Sequence, residues 1–328
     1  MRRLMKASLQ LNSIFLGSQT LRTAVALAPM AGWTDVPFRT LAWRYGAGHM
    51  VSEMVSDKLE LWETGKSRLR RVPVPGVSPI AVQIAGTDPQ ELAIAAQRHV
   101  ADGVDVIDIN FGCPAKKVCR KLAGSALLAN PELVSEIVSA VVQAVPVPVT
   151  VKTRTGLEPK DGLGVEIAQR VAAAGAQMLT VHARSRACRF VGPVDYAAVA
   201  AMKAAVDIPV IVNGDIADIS SAQNALKLSG ADGVMVGRAA MGKPWVFASL
   251  TGASVPTGPE KVECVAEHLR LMYDFYGEET GVRMARKHLQ AYAQNGVLPD
   301  VGEIIRAPAA IDQLRWVERM VRAAAQAA

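Results

Sequence analysis

Eight apolar runs in this chain each hand over to a side chain able to do chemistry. The run VDVIDIN, residues 104 to 110, ends on Asn110 and is followed by Gly112, Cys113, Pro114 and the pair Lys116 and Lys117. An amide and a thiol are thereby delivered into one positively charged loop. The other runs end near Met30, Glu53, Gln83, Lys152 with Arg154, His182, Asn213 with Asp215, and Arg238. Singly, such an Asn or Gln is more often a loop cap, and a lone cysteine more often a small buried hydrophobe. Together they make sense if the runs are strands whose ends share one rim. The turns Asn213-Gly214-Asp215 and Gly237-Arg238 then offer glycine N–H groups to a phosphate. With Lys152 across the rim, they point to a phosphorylated cofactor whose ring lies over the strand ends and whose developing negative charge the lysine stabilises.

The elements that must position these groups are short β-branched stretches: 24–30, 49–54, 80–86, 104–112, 148–154, 178–184, 209–215 and 232–238. Helical patterns alternate with them, two of them opening on proline after the N-cap candidates Asp88 and Asn130. Eight strands, each followed by a helix, predict an α/β fold, a (β/α)8 TIM barrel. The rival doubly wound sheet lacks the GxGxxG turn usual in its dinucleotide-binding members. Residues 251–260 read as a linker, and three amphipathic stretches beyond it predict a small C-terminal helical domain. The expected division is a cofactor-binding catalytic barrel over 1–250 and a helical domain over 259–328.

Composition narrows the class. The 328 residues are 50% hydrophobic and 20% charged, enough for a sizeable core. Apolar runs are broken by residues such as Pro146 and Pro148 long before they could span a bilayer, so no membrane segment is expected. The N-terminal MRRLMKASLQLNSIFLG reads as an ordinary cytoplasmic start leading into a hairpin at Gly17. Four cysteines without a CxxC pair suggest neither a metal site nor a disulfide framework, and fit a reducing, cytoplasmic setting. Net charge is +6, yet residues 257–328 hold nine Lys or Arg against ten Asp or Glu. The positive excess therefore belongs to the first 256 residues.

The segments APMAGWTD (28–35), VSEM (51–54), VQIAG (82–86), DINFGCPAKKVCRKLAGSALL (108–128), VKTRTG (151–156), HARSR (182–186), NGDI (213–216), GRAAMGKPWVF (237–247) and RMARKH (283–288) resemble, in order, the tRNA-dihydrouridine synthases of the bacterial B-type subgroup. The resemblance runs over about residues 24 to 290. It implies a flavoprotein barrel with a C-terminal helical domain that binds tRNA, using FMN and NADPH (or NADH) to reduce the C5–C6 bond of particular uridines. It implies flavin contacts from Pro29, Met30, Ala31 and Gln83, Lys152 and His182 near the ring, and Asn213, Gly214, Asp215, Gly237 and Arg238 around the ribityl phosphate. Cys113 is implied as proton donor. Two departures stand out: HARSR where HGRTR is more usual, and Trp33 where a smaller apolar residue is common.

A thiol suits proton donation, since its ordinary pKa of about 8.5 leaves it protonated at neutral pH yet able to part with the proton. Asn110 is expected on the substrate base or the flavin edge, and Arg154 on the substrate. The clusters 66–71, 116–121 (with Lys116 and Lys117) and 184–189 follow the second, fourth and sixth strands and form an electrostatic collar for a polyanion, though each alone suits a solvated face. Arg286 and Lys287 are expected to extend that grip from the helical domain. The partner so expected is tRNA, with no membrane, no metal and a monomeric enzyme. Two other readings stay open: a flavin barrel that reduces a free pyrimidine or other small enone, and a non-catalytic RNA-binding barrel without flavin.

Overall fold

The computed structural model describes residues 8–120 and 122–326, apart from the side chains of Lys66, Lys116 and Lys117. Lys121, the first seven residues and the side-chain roles expected of Lys116 and Lys117 lie outside that description. A hairpin, β1 (Phe15–Leu16) and β2 (Gln19–Thr20), turns at Gly17, whose φ of 56° suits glycine. The barrel strands follow: β3 (Val25–Leu27), β4 (His49–Met50), β5 (Val55–Ser56), β6 (Ala81–Ala85), β7 (Val106–Asn110), β8 (Val149–Arg154), β9 (Met178–His182), β10 (Val210–Asn213) and β11 (Gly233–Val236). All pair in parallel.

The second predicted strand is split. β4 pairs with β3, Val51 bridges to Ala81, and β5 pairs with β6, so this one interrupted segment closes the barrel. Closure excludes the doubly wound alternative. The other strands are shorter than their predicted spans because the terminal residues have already turned into loops. Helices α1 (Val36–Arg44), α2 (Gly65–Arg71), α3 (Pro89–Ala101), α4 (Lys116–Cys119), α5 (Pro131–Ala144), α6 (Leu163–Ala173), α7 (Tyr196–Ala204), α8 (Ile219–Ser229) and α9 (Val246–Thr251) alternate with them. The Asp88 side chain accepts from the N–H of Gln90 and Glu91, and that of Asn130 from Leu133, as the prolines that follow them foretold.

Residues two apart on a strand share a face. The outward set, such as Ile107, Ile109, Val149, Val151, Val210 and Val212, packs under the helices. The inward set is apolar at the strand starts, where Ala26, Ala81, Val106, Met178 and Ile211 meet Ile14, Leu16 and Leu21 of the hairpin region. Further along the same face it turns polar: Gln83 follows Ala81, Asp108 and Asn110 follow Val106, His182 ends the line from Met178, and Asn213 follows Ile211. This gradient puts a stopper at one end of the barrel and reactive groups at the other.

Helices α10 (Gly258–Tyr276), α11 (Glu278–Gln294) and α12 (Ala310–Gln326) enclose a second core that includes Leu269, Met272, Leu289 and Val317, with Leu41 and Trp245 contributed by the barrel. The joint between the two is polar and aromatic. Asp35 caps α1 and accepts a hydrogen bond from the Tyr276 hydroxyl at 2.8 Å. The Lys287 ammonium donates to the Gly32 carbonyl and sits 5.3 Å over the Trp33 ring. The His288 ring lies 4.8 Å from Trp33, 4.7 Å from His268 and 6.1 Å from Phe38. Trp33, unusual at its position, is thus a bearing surface for the helical region.

Candidate active site

A cavity of about 440 Å³ opens at the carboxyl ends of the strands. Strand register explains its lining: Gln83 lies beside Asp108, Asn110 beside Lys152, and His182 beside Asn213. Pro29, Met30 and Ala31 come from the loop after β3, and Cys113 and Arg154 from the ends of β7 and β8. Gly214, Asp215, Gly237 and Arg238 complete the wall from β10 and β11. Cys113 and Lys152 therefore open onto the same space. Glu53 does not join them, because its buried carboxylate accepts from the Gly32 N–H at 2.8 Å and pairs with Arg70 at 2.9 Å, fastening the second loop to the first.

The thiol is held through its own backbone. Asn110 Oδ1 accepts from the N–H of Gly112 at 3.1 Å and of Cys113 at 3.0 Å. Asn110 Nδ2 donates to Gln83 Oε1 at 2.7 Å, and Gln83 Nε2 to Asp108 Oδ2 at 2.7 Å. Thr150 Oγ1 donates to the other Asp108 oxygen at 2.6 Å. Arg154 is buried, and three of its five donors are committed, Nε to Gly112 O at 2.7 Å and Nη1 to the carbonyls of Ser185 and Arg189. Asn110 and Arg154, expected on the substrate, thus act first as braces of the cysteine loop and of the loop that carries Phe190.

Burial sets the electrostatics. The Lys152 ammonium is lowered to about 8, mainly by burial and then by the Arg154 charge. It donates to Asn213 Oδ1 at 3.3 Å, which leaves two of its three protons for an occupant of the cavity. Burial raises the Cys113 thiol above its ordinary value against the pull of the Ala115 N–H, so it is protonated at neutral pH. His182 is driven down to about 2 by burial and by Lys152, Arg154, Arg184 and Arg238, and is neutral. Asp215, with a positive φ of 49°, is held below the usual carboxylate range by hydrogen bonds from Arg184 to both of its oxygens, and Arg238 also donates to Oδ1 at 2.9 Å.

The basic collar is thinner than expected. Arg70 is spent on Glu53, Arg71 lies 4.6 Å over Trp62, and Arg184 is buried against Asp215. Arg68, Arg120, Arg189 and Arg286 remain exposed. Lys287 is drawn away from the surface to Gly32. Two site residues escaped the sequence reading. Asp108 was accessible in principle, being two residues before Asn110 on the same face. Phe190, half exposed on the lip of the cavity with the Arg154 guanidinium 5.3 Å over its ring, sits in a loop with no periodic signal. Among the described residues, no group of three or more His, Cys, Asp or Glu is placed to hold a metal, and no helix is long and apolar enough to cross a membrane.

Residues 26–310 match the family model described as dihydrouridine synthase. The chain is 51% identical over 288 residues to tRNA-dihydrouridine synthase B of Yersinia pestis, covering 85% of this chain and 89% of that one. Against the Escherichia coli K12 protein of the same name the figures are 50%, 85% and 89%, and against that of Proteus vulgaris 48%, 84% and 88%. Among solved structures, a morphinone reductase mutant in complex with tetrahydroNAD superposes with a TM-score of 0.52 at 17% identity, over 73% of this chain and 91% of that one. That likeness speaks to the barrel alone.

Proposed function

The chain belongs to the dihydrouridine synthase family, and from that premise we propose that it is an FMN-dependent tRNA-dihydrouridine synthase. It reduces the C5–C6 double bond of specific uridines in tRNA, in the cytoplasm and as a monomer. The observation that carries the reading is the meeting of a protonated thiol, a buried ammonium and two glycine turns around one cavity. The near-50% identity to enzymes named for tRNA favours this substrate over a free pyrimidine.

The residues fit a flavin nucleotide. Lys152 is a buried cation with no carboxylate in ion-pair range among the described residues, so it calls for an electron-rich partner. Met30, Ala28 and Pro29 offer an apolar floor to a ring. A Cβ on Gly214 would come within 2.9 Å of Val194, so only glycine gives its backbone that position beside Asp215 and Arg238 for a phosphate. FMN held there would supply, at the expense of NADPH or NADH, the hydride for C6 of the uracil. Cys113 gives its S–H proton to C5 as general acid and regains one from solvent. Arg154 and Asn110 keep that sulfur aimed at the cavity. Lys152 holds positive charge against the cavity, where it would stabilise negative charge on a flavin ring. The exposed arginines at 68, 120, 189 and 286 attract the phosphate backbone, and the helical region beyond residue 259 helps orient it.

Dihydrouridine mapped position by position in tRNA from cells with and without the protein tests this reading. Sites that vanish on deletion, and the copurification of FMN, are expected. Cys113→Ala is expected to lower turnover about 10²- to 10⁴-fold while leaving flavin bound. Undiminished activity in that variant removes the proton-donor role.

A further inference from the structure

The amide groups of Gln83 and Asn110 can each sit in two orientations that differ only by exchange of oxygen and nitrogen. Only one of the two sets Asn110 Oδ1 against the Cys113 N–H. At the loop end the backbone N–H groups of 112 and 113 demand an acceptor, and this turns the Asn110 oxygen toward them. The far end of the line has to agree with that demand. Asp108 is buried, and as a carboxylate it has acceptors only, so Gln83 must present its NH₂ to it. Gln83 Oε1 then faces Asn110, Asn110 presents its own NH₂, and its oxygen is left for Gly112 and Cys113. Thr150, a donor on the far oxygen, anchors the carboxylate without competing for direction.

We infer that Asp108 is a positioning residue: its carboxylate fixes the polarity of the Gln83 and Asn110 amides and so holds the Cys113 backbone, and the thiol with it, at the mouth of the cavity. The consequence for catalysis rests on Cys113 being the proton donor, whereas the orienting role does not. In Asp108→Asn the side chain can offer either an oxygen or an NH₂ to Gln83, so the line loses the far-end constraint on its direction. Moving the acceptor one place along, in the double variant Asp108→Asn with Gln83→Glu, restores it. The amide introduced at position 108 then donates to the carboxylate introduced at position 83, and that carboxylate accepts from Asn110 as Gln83 did.

Hydrogen exchange of the peptide spanning Gly112 and Cys113, and the rate at which iodoacetamide alkylates Cys113, are read by mass spectrometry on the purified protein. Neither needs turnover. Asp108→Asn is expected to speed both about five- to tenfold, the factor that one lost oriented hydrogen bond brings to local opening. The double variant is expected to return both to the parental rates, which a residue needed only for packing would not do. Parental rates in Asp108→Asn overturn the inference. So does a double variant that stays fast or does not fold. Should Asp108→Asn itself not fold, the double variant decides by the same two readings. A loss of dihydrouridine activity in the parent would discredit the proposed reaction and leave these readouts intact.

Discussion

The centre of the barrel and the joint between barrel and helical region are both buried and both polar, but they are built on opposite terms. In the centre, Thr150, Asp108, Gln83 and Asn110 each find a partner, and every bond has a direction. At the joint, His268 offers Nδ1 to Tyr292 at 3.0 Å, while its Nε2 and both nitrogens of His288 have no hydrogen-bond partner among the described residues. Aromatic faces replace partners there. A network that must aim a sulfur is satisfied throughout, whereas one that must only hold two bodies together tolerates neutral imidazoles kept in place by packing. Orientation is what complete pairing supplies.

Acid is the strongest test of that difference. Burial lowers His268 to about 3 and His288 well below the usual imidazole value, and it lowers His49 and His99 to about 4. For each, the unfolded chain binds a proton near pH 6.5 that the folded chain refuses, so stability is full above that pH and falls as pH drops below it. At pH 5 His49, His99 and His268 each contribute a loss of about 2 kcal/mol. Asp35 and Asp108, raised to about 6 by burial, work the other way: they are protonated in the fold first, and acid relieves their cost between about 6 and 3.8. Five such imidazoles, His182 at about 2 among them, outweigh two such carboxyls. Urea midpoints are expected to fall from pH 7.5 to pH 5, with hydrogen exchange rising in α10 and α11 before it rises in β7. A midpoint indifferent to pH would erase the contrast.

Swapping one polar side chain for an apolar one in each region sharpens it. Gln83→Leu strands Asp108 and the Asn110 amide and is expected to cost about 2–4 kcal/mol in equilibrium unfolding. His288→Phe removes two desolvated nitrogens beside Trp33 and Phe38 and is expected to stabilise by about 1–2 kcal/mol. The same sign at both positions would mean that the two regions do not differ in kind. The smallest effect is expected at the rim of the joint, where Arg44 and Glu267 pair with side chains 51% and 34% exposed. Glu267→Gln is expected to change stability by less than about 1 kcal/mol, and less still in high salt.

Much of the barrel could be read in advance because parallel strands are announced by runs such as VTVK and VIVN, and because their ends carried the polar residues. Cys113, Lys152 and the two glycine turns were legible for that reason. What a side chain does with its hydrogen bonds was not. Arg154 and Lys287 looked free for a polyanion, yet one braces two loops and the other ties Gly32 to the helical region. Long-range partners of this kind leave no spacing in the chain. The split in the second strand was equally silent, since no glycine or proline marks the break, yet Ser52 and Glu53 both bond sideways. Asp108 lay in plain view, but its importance comes from what accepts and what donates on the neighbouring strands.

The hairpin that seals the lower end of the barrel has a kinetic corollary. With Ile14, Leu16 and Leu21 wedged among the inward alanines, the described residues fill the lower end of the barrel and leave the cavity open at the carboxyl ends of the strands. On the proposed reaction, nicotinamide and nucleobase would have to queue for one berth, each departing before the other is admitted. Initial rates measured against both should trace parallel rather than converging double-reciprocal lines.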